Sequence, residues 1–128
     1  MDVASSFLVL VVDDDAGVRD SLCTVLESAG YRTLTAENGS DAIAQLGAGP
    51  DLVLTDVNMA GSTGLEVINA IRWGGGNNIP VIAMSSWQPA GYDPLQVALK
   101  LGAVRVIHKD KMDELLPMIE QVLGSARA

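Results

Sequence analysis

A chain of 128 residues with 48% of them hydrophobic suits one compact domain whose core needs no disulfide staples. Its 16 acidic against 8 basic residues leave a net charge of -8, which works against holding a polyanion by counterion release and so against nucleic acid as a direct partner. The lone cysteine, Cys23, cannot close an internal disulfide, and its helical spacing reads as an apolar filler. No apolar stretch approaches the roughly 18 residues that would cross a bilayer, and residues 1–6 lack the basic start of a secretion signal. A cytoplasmic protein without membrane insertion is the default expectation.

Strand-like and helix-like stretches alternate from end to end, the pattern of βα units around a parallel sheet. Residues 7–12 form a continuous charge-free run, as expected of a strand covered on both faces. Val18, Leu22, Val25, Leu26 and Ala29 then recur at helical spacing, and Gly30 is placed to end that helix. Residues 31–36 read as an edge strand, followed by a short helix through Ala42, Ile43 and Leu46 that residues 47–50 stop. The third strand, 52–55, leads into a loop and a helix that buries Leu65, Ile68 and Ile71. The run 74–78 is a turn; it has neither the lysine nor the strand-then-helix setting of a phosphate loop. Pro80 opens a fourth strand ending at Ser85, and prolines at 89 and 94 delay the next helix to about Asp93. The fifth strand covers 104–107. A last helix, 113–124, turns Leu116, Ile119, Val122 and Leu123 inward and leaves a frayed end.

Each central apolar run stops abruptly at polar residues: Asp13 and Asp14, Asp56, Ser85 and Ser86, and Lys109. Parallel strands bring those stops to one sheet edge, where open α/β sheets bind ligands. Three carboxylates a few ångströms apart repel by about 4 kcal/mol per pair at 4 Å and an effective dielectric near 20, so the cluster calls for a cation. Hard oxygen donors suit Mg²⁺, and the absence of a Cys and His cluster excludes zinc. Asp56, alone at its strand end before a loop, is the candidate nucleophile for an aspartyl phosphate. Phosphoryl transfer then asks for positive charge and hydrogen bonds on the equatorial oxygens, which the metal, the Lys109 ammonium and the Ser85 hydroxyl can supply. Taken singly, each residue has a plainer reading: an Asp at a strand end is usually a helix N-cap or turn residue, Lys109 and His108 are solvated, and Ser85 is a capping hydroxyl. Their combination at four strand ends is what points to chemistry.

The segments LVLVVDDDAGVRDSL, DLVLTDVNMAGSTGLEVI, IPVIAMSS and KLGAVRVIHKD together resemble the receiver domain of two-component response regulators, and the likeness covers nearly the whole chain. The resemblance implies a flavodoxin-like (βα)5 fold, a doubly wound five-stranded parallel sheet of order 2-1-3-4-5. It implies one receiver domain over residues 1–128, with no output domain in this chain. Asp56 would accept a phosphoryl group from a histidine kinase or phosphotransfer protein, and the chain would not otherwise be an enzyme. Asp14, Asp56 and the carbonyl of Asn58 would ligate Mg²⁺, Asp13 would hold it through water, and Ser85 and Lys109 would bind phosphoryl oxygens. A downstream protein target is implied without being named, and a homodimer through the last two helices is open.

The sequence departs from the family pattern at several places. Ala60 and Asp110 stand where the family usually has Pro, Ser86 where it has Ala, and Val106 where it carries a Tyr or Phe that swings inward on phosphorylation. Signalling through the loop around Trp87, with Trp87 and Tyr92 as partner anchors, is the corresponding expectation. Two rival functions stand beside the receiver. A haloacid dehalogenase type phosphatase wants a general acid two residues after its nucleophile, where this chain has Asn58. A degenerate receiver would act as a scaffold irrespective of phosphate.

Overall fold

The computed structural model describes residues 7–57, 64–73, 79–86 and 94–127. β1 (Leu8–Val12), β3 (Leu52–Asp56) and β4 (Val81–Ser85) are buried at every position, because helices cover both faces of the central strands. β2 (Arg32–Ala36) and β5 (Arg105–His108) lie at the sheet edges and are partly exposed. All pairings are parallel and the order is β2-β1-β3-β4-β5, as expected.

Five helices alternate with the strands: α1 (Ala16–Ser28), α2 (Gly39–Gln45), α3 (Gly64–Trp73), α4 (Pro94–Leu101) and α5 (Leu115–Arg127). Successive strand side chains point to opposite faces and feed two separate cores. Leu10, Val53 and Ala83 meet Ala42, Ile68 and Ala98 of α2, α3 and α4 on one face. Val11, Leu54 and Met84 meet Leu22 and Leu26 of α1 and Ile119 of α5 on the other. The chain steps outward from β1 to β2 and then returns past β1 to β3. With right-handed crossovers, that reversal puts α1 and α2 on opposite faces and opens a crevice at the carboxyl ends of β1 and β3.

One apolar residue in each of α1 and α2 falls outside the buried face. Val25 and Ile43, expected inward, are 42% and 43% exposed, while Leu22 and Leu26 carry the buried side of α1. The last helix also differs at both ends. Residues Lys109–Glu114 form a 3-10 turn, so α5 starts at Leu115 rather than at Asp113. The tighter winding brings Leu115 to full burial and leaves Leu116 partly buried; Leu115, Ile119 and Leu123, spaced four apart, are the innermost side chains. Gly124 does not end the helix, which runs on to Arg127; glycine costs about 1 kcal/mol relative to alanine in a helix interior, too little to break it.

Glycine is required at two helix ends. Gly30 follows α1 at φ 97° and Gly102 follows α4 at φ 125°, backbone that other residues rarely adopt. A Cβ on Gly102 would also stand 3.0 Å from Nη1 of Arg72. Cys23 is half-buried, and burial pushes its thiol up against an opposing hydrogen bond with Thr33, which fits a filler rather than a nucleophile.

Candidate functional site

The strand register decides where each polar stop falls. Val12 pairs with Thr55, Asp56 with Met84 and Ser85 with His108, so Asp13, Asp56, Ser85 and Lys109 all lie at the carboxyl edge of the sheet. Backbone bonds hold the ladder up to that edge: the Asp13 N–H donates to the Ala36 carbonyl at 3.1 Å and the Val57 N–H to the Met84 carbonyl at 3.0 Å. Side-chain positions there are consequently anchored rather than loose.

Three consecutive acids do three different things. Asp13 is fully buried; Oδ1 accepts the Asp15 N–H at 3.0 Å and Oδ2 accepts Lys109 Nζ at 2.8 Å. Asp14 is exposed. Asp15 is the N-cap of α1, accepting from the Gly17 and Val18 amides at 2.8 and 3.2 Å. The capping role open to any strand-end Asp is therefore taken one residue beyond the pair.

Asp56 is 3% exposed and its Oδ2 accepts Lys109 Nζ at 3.2 Å. Lys109 thus bridges two buried carboxylates with one ammonium. Burial by itself would draw that ammonium down, but hydrogen bonding to Asp13 and the attraction of Asp56 and Asp13 outweigh it and hold the lysine above its ordinary value. Carboxylate oxygens of Asp13, Asp14 and Asp56 lie within 4.8 Å of one another. Three carboxylates against one ammonium leave the cluster negative, and an all-oxygen donor set fits a hard divalent cation.

Ser85 sits 1% exposed at the same edge, with Oγ donating to the Ser86 carbonyl at 3.0 Å. Asn58, the expected carbonyl ligand, lies outside the described residues, as do Ala60, Trp87 and Tyr92, the expected turn 74–78 and residues 1–6. Asp110 follows Lys109 without a cis bond; none occurs among the described residues. Two further residues support the cluster. Arg19 donates from Nη1 to the Asp13 carbonyl at 2.7 Å, and buried Thr55 donates to the Asp56 carbonyl at 3.0 Å. Both hold backbone at the acid positions, and their only sequence signal is nearness to those acids.

The family model described as response regulator receiver domain matches residues 9–120. The chain belongs to this family. Curated relatives include the transcriptional regulatory protein FixJ of Bradyrhizobium diazoefficiens, 37% identical over 92% of this chain and 57% of that protein. The sporulation initiation phosphotransferase F of Bacillus subtilis is 32% identical over 90% of this chain and 92% of its own length. Among solved structures, the response regulator TrrA of Thermotoga maritima in complex with Mg(2+)-BeF superimposes at a TM-score of 0.75, with 32% identity over 90% of this chain and 97% of that one. The chain spans 27%, 30% and 57% of the length of the first three relatives that it matches.

Membership decides between the rival functions at the level of class: receivers are phosphoacceptor signalling domains, and the haloacid dehalogenase reading falls. The exclusion of nucleic acid gains no support from the comparisons. Relatives are named as transcriptional and DNA-binding regulators, and the acidic balance of these 128 residues says nothing about sequence beyond the matched stretch of such proteins. Among the described residues no helix is long and apolar enough to cross a membrane.

Proposed function

We propose that this chain is a phosphorylatable receiver domain in which Asp56 takes a phosphoryl group from the phosphohistidine of a kinase or phosphotransfer protein and thereby switches a protein partner. The observation that carries this reading is the Lys109 ammonium bridging buried Asp13 and Asp56 inside a set of three convergent carboxylates. A scaffold indifferent to phosphate would have no use for so much buried like charge.

An Asp56 carboxylate oxygen attacks phosphorus as the bond from phosphorus to the donor imidazole nitrogen breaks; the electron pair leaves with that nitrogen, which later takes a proton from water. Lys109, already on Asp56, follows the transferred group and binds one of its oxygens, and the Ser85 hydroxyl turns from the Ser86 carbonyl to bind another. Asp14 and Asp56, with the carbonyl of Asn58, are the residues that would hold Mg²⁺ directly, and buried Asp13 would do so through water. When bound, the ion supplies the positive charge that offsets both the carboxylates and the phosphoryl oxygens. Beyond self-phosphorylation and loss of the label, no turnover is assigned.

The test is incubation with acetyl phosphate and Mg²⁺ followed by intact-mass spectrometry. One added phosphoryl group is expected, absent in Asp56→Asn and absent when the metal is chelated. No mass gain in the parent, or an equal gain in the variant, overturns the reading.

A further inference from the structure

His108 is the single histidine of the chain, and its Nδ1 is buried with no hydrogen-bond partner. A buried ring nitrogen left unpaired is unusual and asks for a reason. The ring does not cap the 3-10 turn that follows it. Two residues earlier on the same strand face, Val106 packs against the core shared by α2, α3 and α4. His108 therefore points to that side of the sheet, and so does Ser85, two residues after Ala83 of the same core.

The two are also in register: Ser85 of β4 pairs with His108 of β5. Neighbouring strands lie about 4.8 Å apart, so paired side chains on one face are within reach of each other. On the other flank of Ser85, one step beyond the Asp56 and Met84 pair, stands apolar Val57. The imidazole is thus a polar group set beside the Ser85 hydroxyl on the neighbouring strand.

We infer that His108 is a positioning residue for the phosphorylated state, donating from Nδ1 to Oγ of Ser85 once that hydroxyl has turned to a phosphoryl oxygen. The inference rests on the phosphoacceptor reading above. In the structure Ser85 spends its proton on the Ser86 carbonyl. When the proton is redirected to phosphate, Oγ keeps lone pairs that can accept a bond, and the neighbouring Nδ1–H is the donor in register with it. The resulting relay, imidazole to hydroxyl to phosphoryl, strengthens both bonds because each polarises the next. It also gives this chain a polar contact between β5 and Ser85 that Val106 cannot make, and it leaves Nδ1 unsatisfied only in the resting state.

Nitrogen-15 NMR of the one histidine, with and without Mg²⁺ and beryllofluoride as phosphoryl mimic, reads this directly, while fluorine NMR of the same sample reports whether the mimic is bound. Bound mimic with Nδ1 moving to the position of a protonated, hydrogen-bonded nitrogen supports the inference. Bound mimic with an unchanged Nδ1 overturns it and leaves the phosphoacceptor reading intact; no bound mimic overturns both. A variant pair supplies a second readout, because the amide nitrogen of Asn overlays Nδ1 whereas Leu fills the space without a donor. His108→Leu is expected to weaken beryllofluoride binding about fivefold, the worth of one hydrogen bond, and His108→Asn to stay within about twofold of the parent. Equal affinities in the two variants count against the inference even if both fold well.

Discussion

Lys109 Nζ lies nearer to Asp13, at 2.8 Å, than to Asp56, at 3.2 Å, although 96 positions of chain separate it from Asp13. On the phosphoacceptor reading proposed above, the lysine is anchored on the residue that would not react and only leans on the one that would. Such an arrangement would keep the ammonium at the site if phosphorus took the Asp56 oxygens.

Removing that ammonium exposes the repulsion it offsets. Lys109→Met is expected to lower stability by about 1–3 kcal/mol in metal-free buffer, less than for a wholly buried pair because the lysine side chain is 22% exposed. Added Mg²⁺ narrows the deficit by restoring positive charge. Urea titrations of parent and variant with chelator and with Mg²⁺ measure both effects; an equal deficit in the two buffers counts against the shared electrostatic role.

The raised pKa of Lys109 gives a pH dependence of definite sign. A cation whose folded pKa exceeds its unfolded one adds stability that is complete below the unfolded value, about 10.4 for lysine, and disappears as pH rises through the higher folded value. The gap in urea midpoint between parent and Lys109→Met should hold constant from neutral pH to the ordinary lysine range and shrink above it. A gap that closes well below that range would contradict the ion-pair account.

Asp14 is the exposed member of the acidic cluster, so its loss should spare the fold and strike the metal. Asp14→Asn is expected to weaken Mg²⁺ binding by about tenfold or more, 1.4 kcal/mol at the lower bound. Metal-free stability stays the same or rises, because one repelling charge is gone. Isothermal titration with MgCl₂ beside a thermal melt tests the pair of outcomes.

Adjacent residues of α1 should respond oppositely to truncation. Leu26 is fully buried, and Leu26→Ala is expected to cost about 2–5 kcal/mol. Val25 is 42% exposed, and Val25→Ala should change stability by no more than about 0.5 kcal/mol. Chemical denaturation of both variants checks which side of the helix meets the sheet.

Much of this molecule can be read from its linear pattern. The runs at 8–12, 52–56 and 81–85 have no charge until their ends, and only a strand covered on both faces needs that composition. Their polar stops at Asp13, Asp56 and Ser85 are visible as breaks in that composition. Amphipathic helices are harder to orient, since Val25 and Leu26 are both apolar and a rotation of about 100°, one residue step, decides which meets the sheet. The start of α5 was hidden for a similar reason: a six-residue stretch that is charged except for Met112 can open a helix directly or first wind as a 3-10 turn.

The order of hydrophobic runs, helix stops and acids was therefore sufficient to determine a parallel sheet with carboxylates and a lysine at one edge, because burial and covalent connectivity act along the chain. Which acid caps a helix, which accepts the lysine and which faces solvent was decided only when β5 came to lie beside β4 and Lys109, just beyond it, reached Asp13. Contacts across that distance depend on strand register and crossover hand, and neither leaves a local mark in the amino-acid order.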